Sequence, residues 1–375
     1  MMIAGVEHRL SEIRTKVDSG ERLSAADGEF LFQPEVDVHA LGELADIVRR
    51  RKSGDVAYYN LNAHLNPTNV CIYRCALCAY SRDADDPAAY VMSDEEILAA
   101  GREAAESGCT ELHIVGGVHP EKDFEWYLNV VRRLHAAFPR LHLKAFTAVE
   151  IAWFAQITKR PARGILEELV KAGLGSLPGG GAEIFDPEIR VRLCPRKADA
   201  RAWLGVHRAA HQLGLPTNAT MLYGHIEAAE HRIDHLVYLR QQQDVTGGFQ
   251  AFVPLSFHPE NTPLSYIRQQ SPLEDLRVVA VSRLMLDNFD HIKAYWVSLG
   301  IGTAQVALRY GADDLDGTVR QERIHHEAGA TSPQRLSVEE ITRLIREAGF
   351  EPVERDSLYR RVRRNGPEWQ VDEAY

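Results

Sequence analysis

Three closely spaced cysteines are the residues in this chain whose type and spacing most clearly indicate chemistry. Cys71, Cys75 and Cys78 form the pattern C-x3-C-x2-C in a chain with only two other cysteines. Thiolates are soft ligands that suit zinc or iron–sulfur clusters. A structural zinc site usually has four ligands in two separated pairs, and a ferredoxin-type cluster also uses four thiolates. Three thiolates can hold a four-iron cluster if one iron lacks a protein ligand, and a small molecule can chelate that open iron.

Composition and charge narrow the classes of protein to which the chain can belong. Its 375 residues carry a net charge of −10, with a sequence pI of about 5.9, so the basic face of a nucleic-acid-binding protein is not expected. The start, MMIAGVEHRLSEIRTK, carries charges where a signal peptide needs an apolar run. No uncharged apolar stretch approaches the roughly 18 residues of a membrane span. We therefore expect a cytoplasmic protein whose thiols stay reduced and whose clustered cysteines are ligands rather than disulfides.

Apolar runs that suit β-strands alternate with helical patterns along most of the chain. Eight such runs favour parallel βα units and predict an α/β fold, a (β/α)8 TIM-type barrel with its active site at the carboxyl ends of the strands. A doubly wound open sheet is the alternative. The eight runs are AHLNPTNV, ELHIVGG, LHLKAFT, LGSLPGG, PTNATMLYG, FQAFVPLSF, HIKAYWVS and TAQVALRYG.

The segments on either side of the alternating region are expected to flank the barrel. Ser24 is typical of the residue that precedes a helix, and a second, amphipathic helix is expected to end at Gly54. Residues 1–54 are therefore predicted to form an N-terminal helical extension. Residues 55–330 are the predicted barrel core, and residues 331–375 a C-terminal helix and cap.

The cysteine pattern, placed directly after the first strand of a predicted barrel, resembles the signature of the radical S-adenosylmethionine (SAM) superfamily. The resemblance implies a [4Fe–4S] cluster on the three cysteines, with the amine and carboxylate of SAM on the open iron. One electron from the reduced cluster then splits SAM and releases a 5′-deoxyadenosyl radical. Zinc remains the alternative. Leu77 stands where the superfamily commonly has an aromatic residue, and Tyr80 lies where its backbone often reaches the adenine.

The same resemblance gives roles to glycines and carboxylates near later strand ends. Gly116 and Gly117 stand where the superfamily has a glycine-rich strand end that meets the SAM amine, since glycine allows close backbone approach. Glu183, in PGGGAEIF, is a candidate acceptor for the ribose hydroxyls of SAM, and Glu150 is its rival for a polar role at the barrel mouth. The alternatives are an ordinary turn at the two glycines and a surface glutamate at position 183.

Longer strings resemble the menaquinone/deazaflavin branch of the radical SAM enzymes, over residues from about 55 to 360. Within the branch the strings KAFTAVEI, PGGGAEIF and FHPENT favour the aminofutalosine synthase family. Dehypoxanthine futalosine cyclases and the tyrosine-dependent half of deazaflavin (FO) synthase are close relatives that share most of these strings. A non-catalytic iron–sulfur electron carrier is the alternative from another class, against which the open ligand position and the polar strand ends argue.

What the resemblance implies about the reaction is specific. The deoxyadenosyl radical adds to the vinyl carbon of 3-[(1-carboxyvinyl)oxy]benzoate, the aryl group migrates from oxygen to carbon, and loss of bicarbonate gives 6-amino-6-deoxyfutalosine. SAM is then a co-substrate, and a reducing donor such as flavodoxin or ferredoxin must supply the electron. An aromatic dicarboxylate substrate in an acidic protein needs local cations. The candidates at predicted strand ends are Arg82, Lys144, His225, His258 and Arg309. The two remaining cysteines, Cys109 and Cys194, are expected to be inert.

Overall fold

Helices and strands alternate along most of the computed structural model, which describes residues 2–372. The helices are α1 (Met2–Ser19), α2 (Ala25–Leu31), α3 (Val38–Ser53), α4 (Asp94–Glu106), α5 (Phe124–Ala137), α6 (Ala148–Thr158), α7 (Ala162–Ala172), α8 (Pro187–Leu193), α9 (Ala200–Gln212), α10 (Ala229–Thr246), α11 (Pro272–Met285), α12 (Trp296–Leu299), α13 (Ile301–Ala307), α14 (Ile324–Glu327) and α15 (Val338–Glu347). The strands are β1 (Val56–Asn60), β2 (Asn62–Leu65), β3 (Glu111–Ile114), β4 (His142–Ala145), β5 (Leu174–Ser176), β6 (Thr217–Tyr223), β7 (Phe249–Ser256), β8 (His291–Ile292), β9 (Asp314–Gly317), β10 (Glu351–Glu354), β11 (Val362–Asn365) and β12 (Glu368–Val371).

Eight parallel strands, β2 to β9, close into a ring. Strands β2, β3, β4 and β5 pair in chain order, as do β6, β7 and β8. Single parallel β-bridges join these two groups of strands to each other and to β9. They are Leu177 to Thr217 between β5 and β6, and Lys293 to Asp314 between β8 and β9. A third bridge, from Ala63 in β2 to the chain just after β9, closes the circle. The predicted (β/α)8 barrel is confirmed, and the open sheet is not formed.

The eighth barrel strand lies later in the chain than the sequence predicted. The run TAQVALRYG, residues 303–311, was expected to be this strand, but α13 begins before it and occupies most of it. Its buried residues Ala304, Ala307 and Leu308 recur at a spacing of three and four, which is the period of one helix face rather than of a strand. The actual strand is β9, which begins at Asp314.

The segments outside the ring pack onto it at two places. Helix α3 packs against α11, and α2 packs against α10 and α11. Ser24 caps α2 as predicted, and α3 ends at Gly54, whose φ of 57° favours glycine. After α15, strand β10 pairs in parallel with β1, which also pairs with β9, while β11 and β12 form an antiparallel hairpin. Within residues 2–372, no helix combines the length and apolar character needed to cross a membrane.

Candidate active site

A cavity of about 310 Å³ opens at the carboxyl ends of the barrel strands, where this fold places active sites. We call it the strand-end cavity. Most of the predicted site residues line it. They are Cys71, Cys75, Cys78, Tyr80, Gly116, Gly117, Lys144, Glu150, Glu183 and His258. The fold therefore brings together residues that are far apart in the sequence.

The three cysteines lie on a loop, residues 66–82, that is closed by its own backbone. The Cys71 N–H donates to the Arg82 carbonyl at 3.1 Å, and the Cys78 N–H donates to the Cys75 carbonyl at 3.0 Å. The Ile72 N–H donates to the carbonyl of Val118, beyond β3, at 3.0 Å. We call residues 66–82 the cysteine loop. These bonds hold it at the mouth of the barrel, beside the ends of β2 and β3.

The donor chemistry of the cysteine loop fits an iron–sulfur cluster. Cys71, Cys75 and Cys78 are free thiols that line one cavity, and Cys71 and Cys78 are only half-buried. Burial raises the pKa of Cys71, and hydrogen bonds from the backbone of Val118 and Tyr73 to its sulfur oppose that shift. Hydrogen bonds to ligand sulfurs help to set the reduction potential of an iron–sulfur cluster. Among residues 2–372, no three His, Cys, Asp or Glu side chains are gathered around a point that one metal ion could occupy.

Cys194 lies beside the cysteine loop and is not a remote thiol. Interaction with the Cys75 side chain lowers the pKa of Cys194 to about 7. The preceding carbonyl, of Leu193, accepts a hydrogen bond from the Ala76 N–H at 2.8 Å. Cys109 is buried just before β3, and burial raises its pKa to about 11. The sequence could not indicate the position of Cys194, because the contact joins segments that are distant in the chain.

The glycine strand end packs directly against the cysteine loop. The Gly117 N–H donates to the Thr68 carbonyl at 2.8 Å. A Cβ atom on Gly117 would lie 2.1 Å from the carbonyl oxygen of Val70, and one on Gly116 would lie 2.9 Å from that of Thr68. Both glycines are therefore needed for the loop to close on β3. Their expected approach to SAM remains a prediction.

Glu150 connects the glycine strand end to α6. It is the third residue of that helix and forms a capping box with Thr147, whose hydroxyl donates to Oε2 at 2.8 Å. The Gly116 N–H donates to Oε1 at 3.3 Å. Burial raises the pKa of Glu150 to about 7, against the hydrogen bonds from Thr147 and Gly116. The carboxyl group of Glu150 therefore holds the glycine strand end and α6 together in the cavity wall.

Glu183 has a partner that the sequence did not indicate. Lys197 donates to its Oε1 at 2.5 Å, and both side chains line the strand-end cavity. Burial acts to raise the pKa of Glu183, but Lys197 outweighs it, so the net shift is downward. The backbone φ of Glu183 is 51°, in the left-handed region that few non-glycine residues adopt. Strain of this kind is typical of functional sites, and the surrounding structure must maintain it.

Tyr80 faces the cavity from the end of the cysteine loop. Its hydroxyl lies 2.5 Å from that of Tyr90 and 3.4 Å from the carbonyl oxygen of Thr68. Burial raises the pKa of Tyr80, so it is a neutral hydrogen-bonding group. These contacts fix the loop directly after the third cysteine.

Two buried ion pairs lie at the base of the cavity, on the barrel strands and just beyond their ends. Lys144 Nζ lies 2.6 Å from Glu111 Oε2, and Lys293 Nζ lies 3.0 Å from Asp316 Oδ1. All four side chains line the cavity. The sequence predicted only Lys144. Lys293 directly follows the buried end of β8, and this position after a strand is the signal that would have identified it.

His258 lies at the cavity wall with both ring nitrogens occupied. Its Nε2 lies 2.8 Å from the Ser298 carbonyl oxygen and must donate to it, so Nδ1 accepts from Gln269 at 3.3 Å. Burial lowers the pKa of His258, which favours the neutral ring. The ring centroid of His325 is 6.2 Å away, and His325 also lines the cavity. His325 was not predicted from the sequence, because it lies beyond the last barrel strand, β9.

Three predicted cation candidates do not line the strand-end cavity. Arg82 donates to the Ala79 carbonyl and to Glu327, while His225 Nδ1 lies 2.8 Å from Glu227. Arg309 lies over the Phe350 ring, outside the barrel, and donates to the Ala348 carbonyl at 2.7 Å. The prediction for Arg309 was wrong because it assumed a strand over residues 303–311. The eighth strand is β9, and the polar residue near its carboxyl end is Asp316.

Comparison with known proteins places the chain in a family. Residues 65–239 match the radical SAM superfamily, and residues 246–367 match the CofH/MqnC C-terminal region. The chain is 46% identical to the aminodeoxyfutalosine synthase of Thermus thermophilus, over 95% of this chain and 96% of that protein. It is 44% identical to the aminodeoxyfutalosine synthase of Streptomyces coelicolor, over 98% of this chain and 97% of that protein.

An archaeal relative and a solved structure extend the comparison. The 5-amino-6-(D-ribitylamino)uracil–L-tyrosine 4-hydroxyphenyl transferase of Methanopyrus kandleri is 42% identical, over 92% of this chain and 94% of that protein. The structure of methylornithine synthase shares the fold, with a TM-score of 0.72 and 19% identity over 91% of this chain and 97% of that chain. The chain therefore belongs to the radical SAM enzymes, in the family that unites the aminodeoxyfutalosine synthases with these archaeal transferases.

Proposed function

We propose that the chain is an aminodeoxyfutalosine synthase of menaquinone biosynthesis. It would join the adenosyl moiety of SAM to 3-[(1-carboxyvinyl)oxy]benzoate, giving 6-amino-6-deoxyfutalosine, methionine and bicarbonate. The observation that carries the proposal is the 46% identity to a synthase over nearly the full length of both chains. The strand-end cavity supports it, because free thiols and buried lysines line one space.

The family's cofactors have residues to hold them in this cavity. As a radical SAM enzyme, the chain uses a [4Fe–4S] cluster and SAM. Cys71, Cys75 and Cys78 would hold the cluster, and when loaded it supplies the electron that splits SAM into methionine and a 5′-deoxyadenosyl radical. The glycine strand end of Gly116 and Gly117 would face the methionyl end of SAM.

Lysine side chains would bind the carboxylates of the substrate. Each lysine ammonium has three N–H donors, and the ion pairs of Lys144 and Lys293 occupy one donor each. The remaining donors can reach an anion in the cavity, where burial strengthens the attraction. Glu111 and Asp316 keep the two lysines in place and offset their charge when no substrate is bound. We assign Lys144 and Lys293 to the substrate, with His258 as a neutral neighbour.

Apolar side chains also line the cavity. They would exclude water and competing hydrogen donors from a reactive radical. The apolar lining comes from several strands and the loops that follow them. It includes Val115, Val118, Val149, Leu222, Val253, Leu255 and Phe257. The cavity would also hold the alkene of the substrate next to the radical. Such positioning can supply much of a rate enhancement. Both carboxyl oxygens of Glu150 accept hydrogen bonds within the cavity wall, so we assign Glu150 no catalytic role in the reaction.

A second candidate reaction is that of the archaeal relatives. The 42% identity to the Methanopyrus kandleri transferase is nearly as high as that to the synthases. Such an enzyme would take L-tyrosine and 5-amino-6-(D-ribitylamino)uracil in place of the benzoate. The two candidates differ in their substrates, so product analysis separates them.

We also propose a cellular compartment and an electron donor for the enzyme. All five cysteines are unpaired in the structure, as expected in a reducing compartment, which supports a cytoplasmic enzyme. A small protein such as flavodoxin or ferredoxin would deliver the electron.

The test is an anaerobic incubation of the cluster-loaded enzyme with SAM, dithionite and each candidate substrate, followed by mass spectrometry. We expect 6-amino-6-deoxyfutalosine from the enolpyruvyl benzoate and no new product from tyrosine with the ribitylaminouracil. The reverse pattern would favour the second candidate. The Cys75→Ala variant serves as the control and should give neither product.

A further inference from the structure

Two histidine rings lie face to face at the base of the strand-end cavity. His64 in β2 is paired in register with His113 in β3, and their ring centroids are 4.7 Å apart with an angle of 22° between the ring planes. Both residues line the cavity, and both are half-buried. Since directly paired residues of neighbouring strands lie on the same face of a sheet, the two rings belong to the inner wall of the barrel.

Lys144 extends this pair along the wall. It lies in β4, is paired in register with His113, and also lines the cavity. Three neighbouring strands therefore carry nitrogen-bearing side chains side by side. We call His64, His113 and Lys144 the nitrogen row.

The ring nitrogens of the two histidines have no partner in the part of the chain that the structure describes. Within residues 2–372, no protein group forms a hydrogen bond with either ring, whereas both ring nitrogens of His258 are occupied. Buried polar groups in proteins are normally hydrogen-bonded, and an unpaired one costs free energy. Because both rings line the cavity, a ligand in the cavity can supply the missing partner.

Both rings are neutral at pH 7, and each therefore has one N–H donor. Burial lowers the pKa of His64 and that of His113, the latter to about 3. Several charged or titratable groups lie around the two rings and act on these pKa values. They are Glu111, Lys144, Asp316, Glu322 and His325.

Five acidic side chains line the cavity, and each already accepts a hydrogen bond from the protein. They are Glu111 (from Lys144), Glu150 (from Thr147), Glu183 (from Lys197), Asp316 (from Lys293) and Glu322 (from the His325 N–H). The two imidazoles of the nitrogen row, by contrast, are donors without an acceptor. An added acceptor group, such as a carboxylate, is therefore best satisfied at the row.

The depth of the nitrogen row indicates which carboxylate of the substrate would bind there. The alkene of 3-[(1-carboxyvinyl)oxy]benzoate must meet the adenosyl carbon of SAM, which belongs at the cysteine loop at the mouth of the barrel. The benzoate carboxylate lies across the ring from this alkene. A substrate with its alkene towards the cysteine loop therefore has its benzoate carboxylate towards the base of the cavity, where the row lies.

We propose that His64 and His113, together with Lys144, form the subsite that binds the benzoate carboxylate of the substrate. The two neutral imidazoles donate N–H hydrogen bonds to the carboxylate and so fix the orientation of the aryl ring that migrates. The inference rests on the proposed function, because it takes the enolpyruvyl benzoate as the substrate. No bond is made or broken at the row.

The test compares two ligands by isothermal titration of the cluster-loaded enzyme with SAM, under anaerobic conditions and without reductant. One ligand is 3-[(1-carboxyvinyl)oxy]benzoate, and the other is 2-phenoxyprop-2-enoate, which has the same alkene but lacks the benzoate carboxylate. His113→Phe keeps a ring beside His64 but has no nitrogen. We expect it to bind the benzoate about tenfold or more weakly, since it loses a hydrogen bond to a charged group. Its affinity for 2-phenoxyprop-2-enoate should change by less than about twofold, because only groups in contact are coupled in such a cycle.

His113→Gln and His142→Phe are the companion variants. His113→Gln keeps an N–H donor and should bind the benzoate more tightly than His113→Phe. His142 lies on β4, its Nε2 is 2.8 Å from the Ser176 hydroxyl, and it does not line the cavity, so His142→Phe should bind both ligands like the unchanged protein.

The outcomes separate the inference from the proposed function. Equal weakening of both ligands in His113→Phe would overturn the inference, since it would indicate a structural role, and so would unchanged binding of the benzoate. If the unchanged protein did not bind the benzoate at all, the proposed function would fail together with the inference.

Discussion

The backbone N–H of Gly116, just beyond the end of β3, donates a hydrogen bond to Oε1 of Glu150, 3.3 Å away, at the start of α6. The same carboxyl group caps α6 through Thr147. One buried side chain therefore fixes both the glycine strand end and the next helix of the barrel. Its protonation state should affect the stability of the whole cavity wall.

The free energy of unfolding should fall as pH rises through neutrality, because the buried Glu150 then loses its proton. Burial raises the pKa of Glu150 to about 7 from its ordinary value of 4.5. The folded state therefore holds this proton more tightly than the unfolded state, and the stabilisation present below pH 4.5 is lost as pH rises through 7. A shift of this size corresponds to about 3 kcal/mol. Urea unfolding of the apoprotein between pH 5 and 8 should show this loss, and the Glu150→Gln variant should lack it.

The control for Glu150 is Glu340, which is also the third residue of a helix in a capping box, formed with Ser337. A hydrogen bond from the Ser337 backbone lowers the pKa of the exposed Glu340. The Glu340→Gln variant should keep the slope of the unchanged protein between pH 5 and 8. If Glu150→Gln and the unchanged protein had the same slope, the buried carboxyl would not titrate in this range.

The Lys144–Glu111 pair should be important for stability. Replacing Lys144 with Met leaves Glu111 buried without its closest cation, which should lower the free energy of unfolding by about 3 kcal/mol. The double variant Lys144→Met/Glu111→Leu removes the stranded charge and should recover part of that loss. Urea unfolding measures both. Breaking the exposed Arg163–Glu167 pair with Arg163→Met should change stability by less than about 1 kcal/mol. A double variant no more stable than the single one would show that the stranded charge of Glu111 does not cause the loss.

Gly117 should be required for the cysteine loop to assemble a cluster. A Cβ atom there would lie 2.1 Å from the Val70 carbonyl oxygen, so Gly117→Ala must displace the loop that carries Cys71. We expect much lower iron and sulfide content after anaerobic reconstitution. Gly302→Ala, in α13 with open space around it, is the control and should keep full iron content. Normal cluster content in Gly117→Ala would show that the loop tolerates the side chain.

Residues in short motifs or at strand ends could be predicted from the sequence, whereas residues that depend on contacts between distant segments could not. The three cysteines, the glycine strand end and Lys144 line the strand-end cavity as expected, because short motifs and strand ends indicate where such residues lie. Arg309 was misplaced since an apolar run with helical spacing was taken for the eighth strand. The roles of Lys197 and Cys194 depend on contacts with segments far away in the chain, and no local pattern encodes such contacts.

The three cluster cysteines should behave alike and differently from Cys109. Replacing Cys71, Cys75 or Cys78 with Ala should remove the visible absorbance of the cluster and all SAM cleavage, because no other free thiol lines the strand-end cavity in residues 2–372. Cys109→Ala should keep both properties, since its thiol is buried just before β3 and does not line the strand-end cavity. A Cys75 variant with full cluster content would refute the ligand assignment.

In the proposed reaction the adenosyl radical adds to the substrate. The most direct measurement uses SAM labelled in its adenosyl moiety, with the cluster-loaded enzyme, dithionite and 3-[(1-carboxyvinyl)oxy]benzoate, and mass spectrometry of every labelled product. Addition predicts label in a larger product that also carries the benzoate ring. Label found only in 5′-deoxyadenosine, with this substrate and with tyrosine and the ribitylaminouracil, would contradict the proposed reaction.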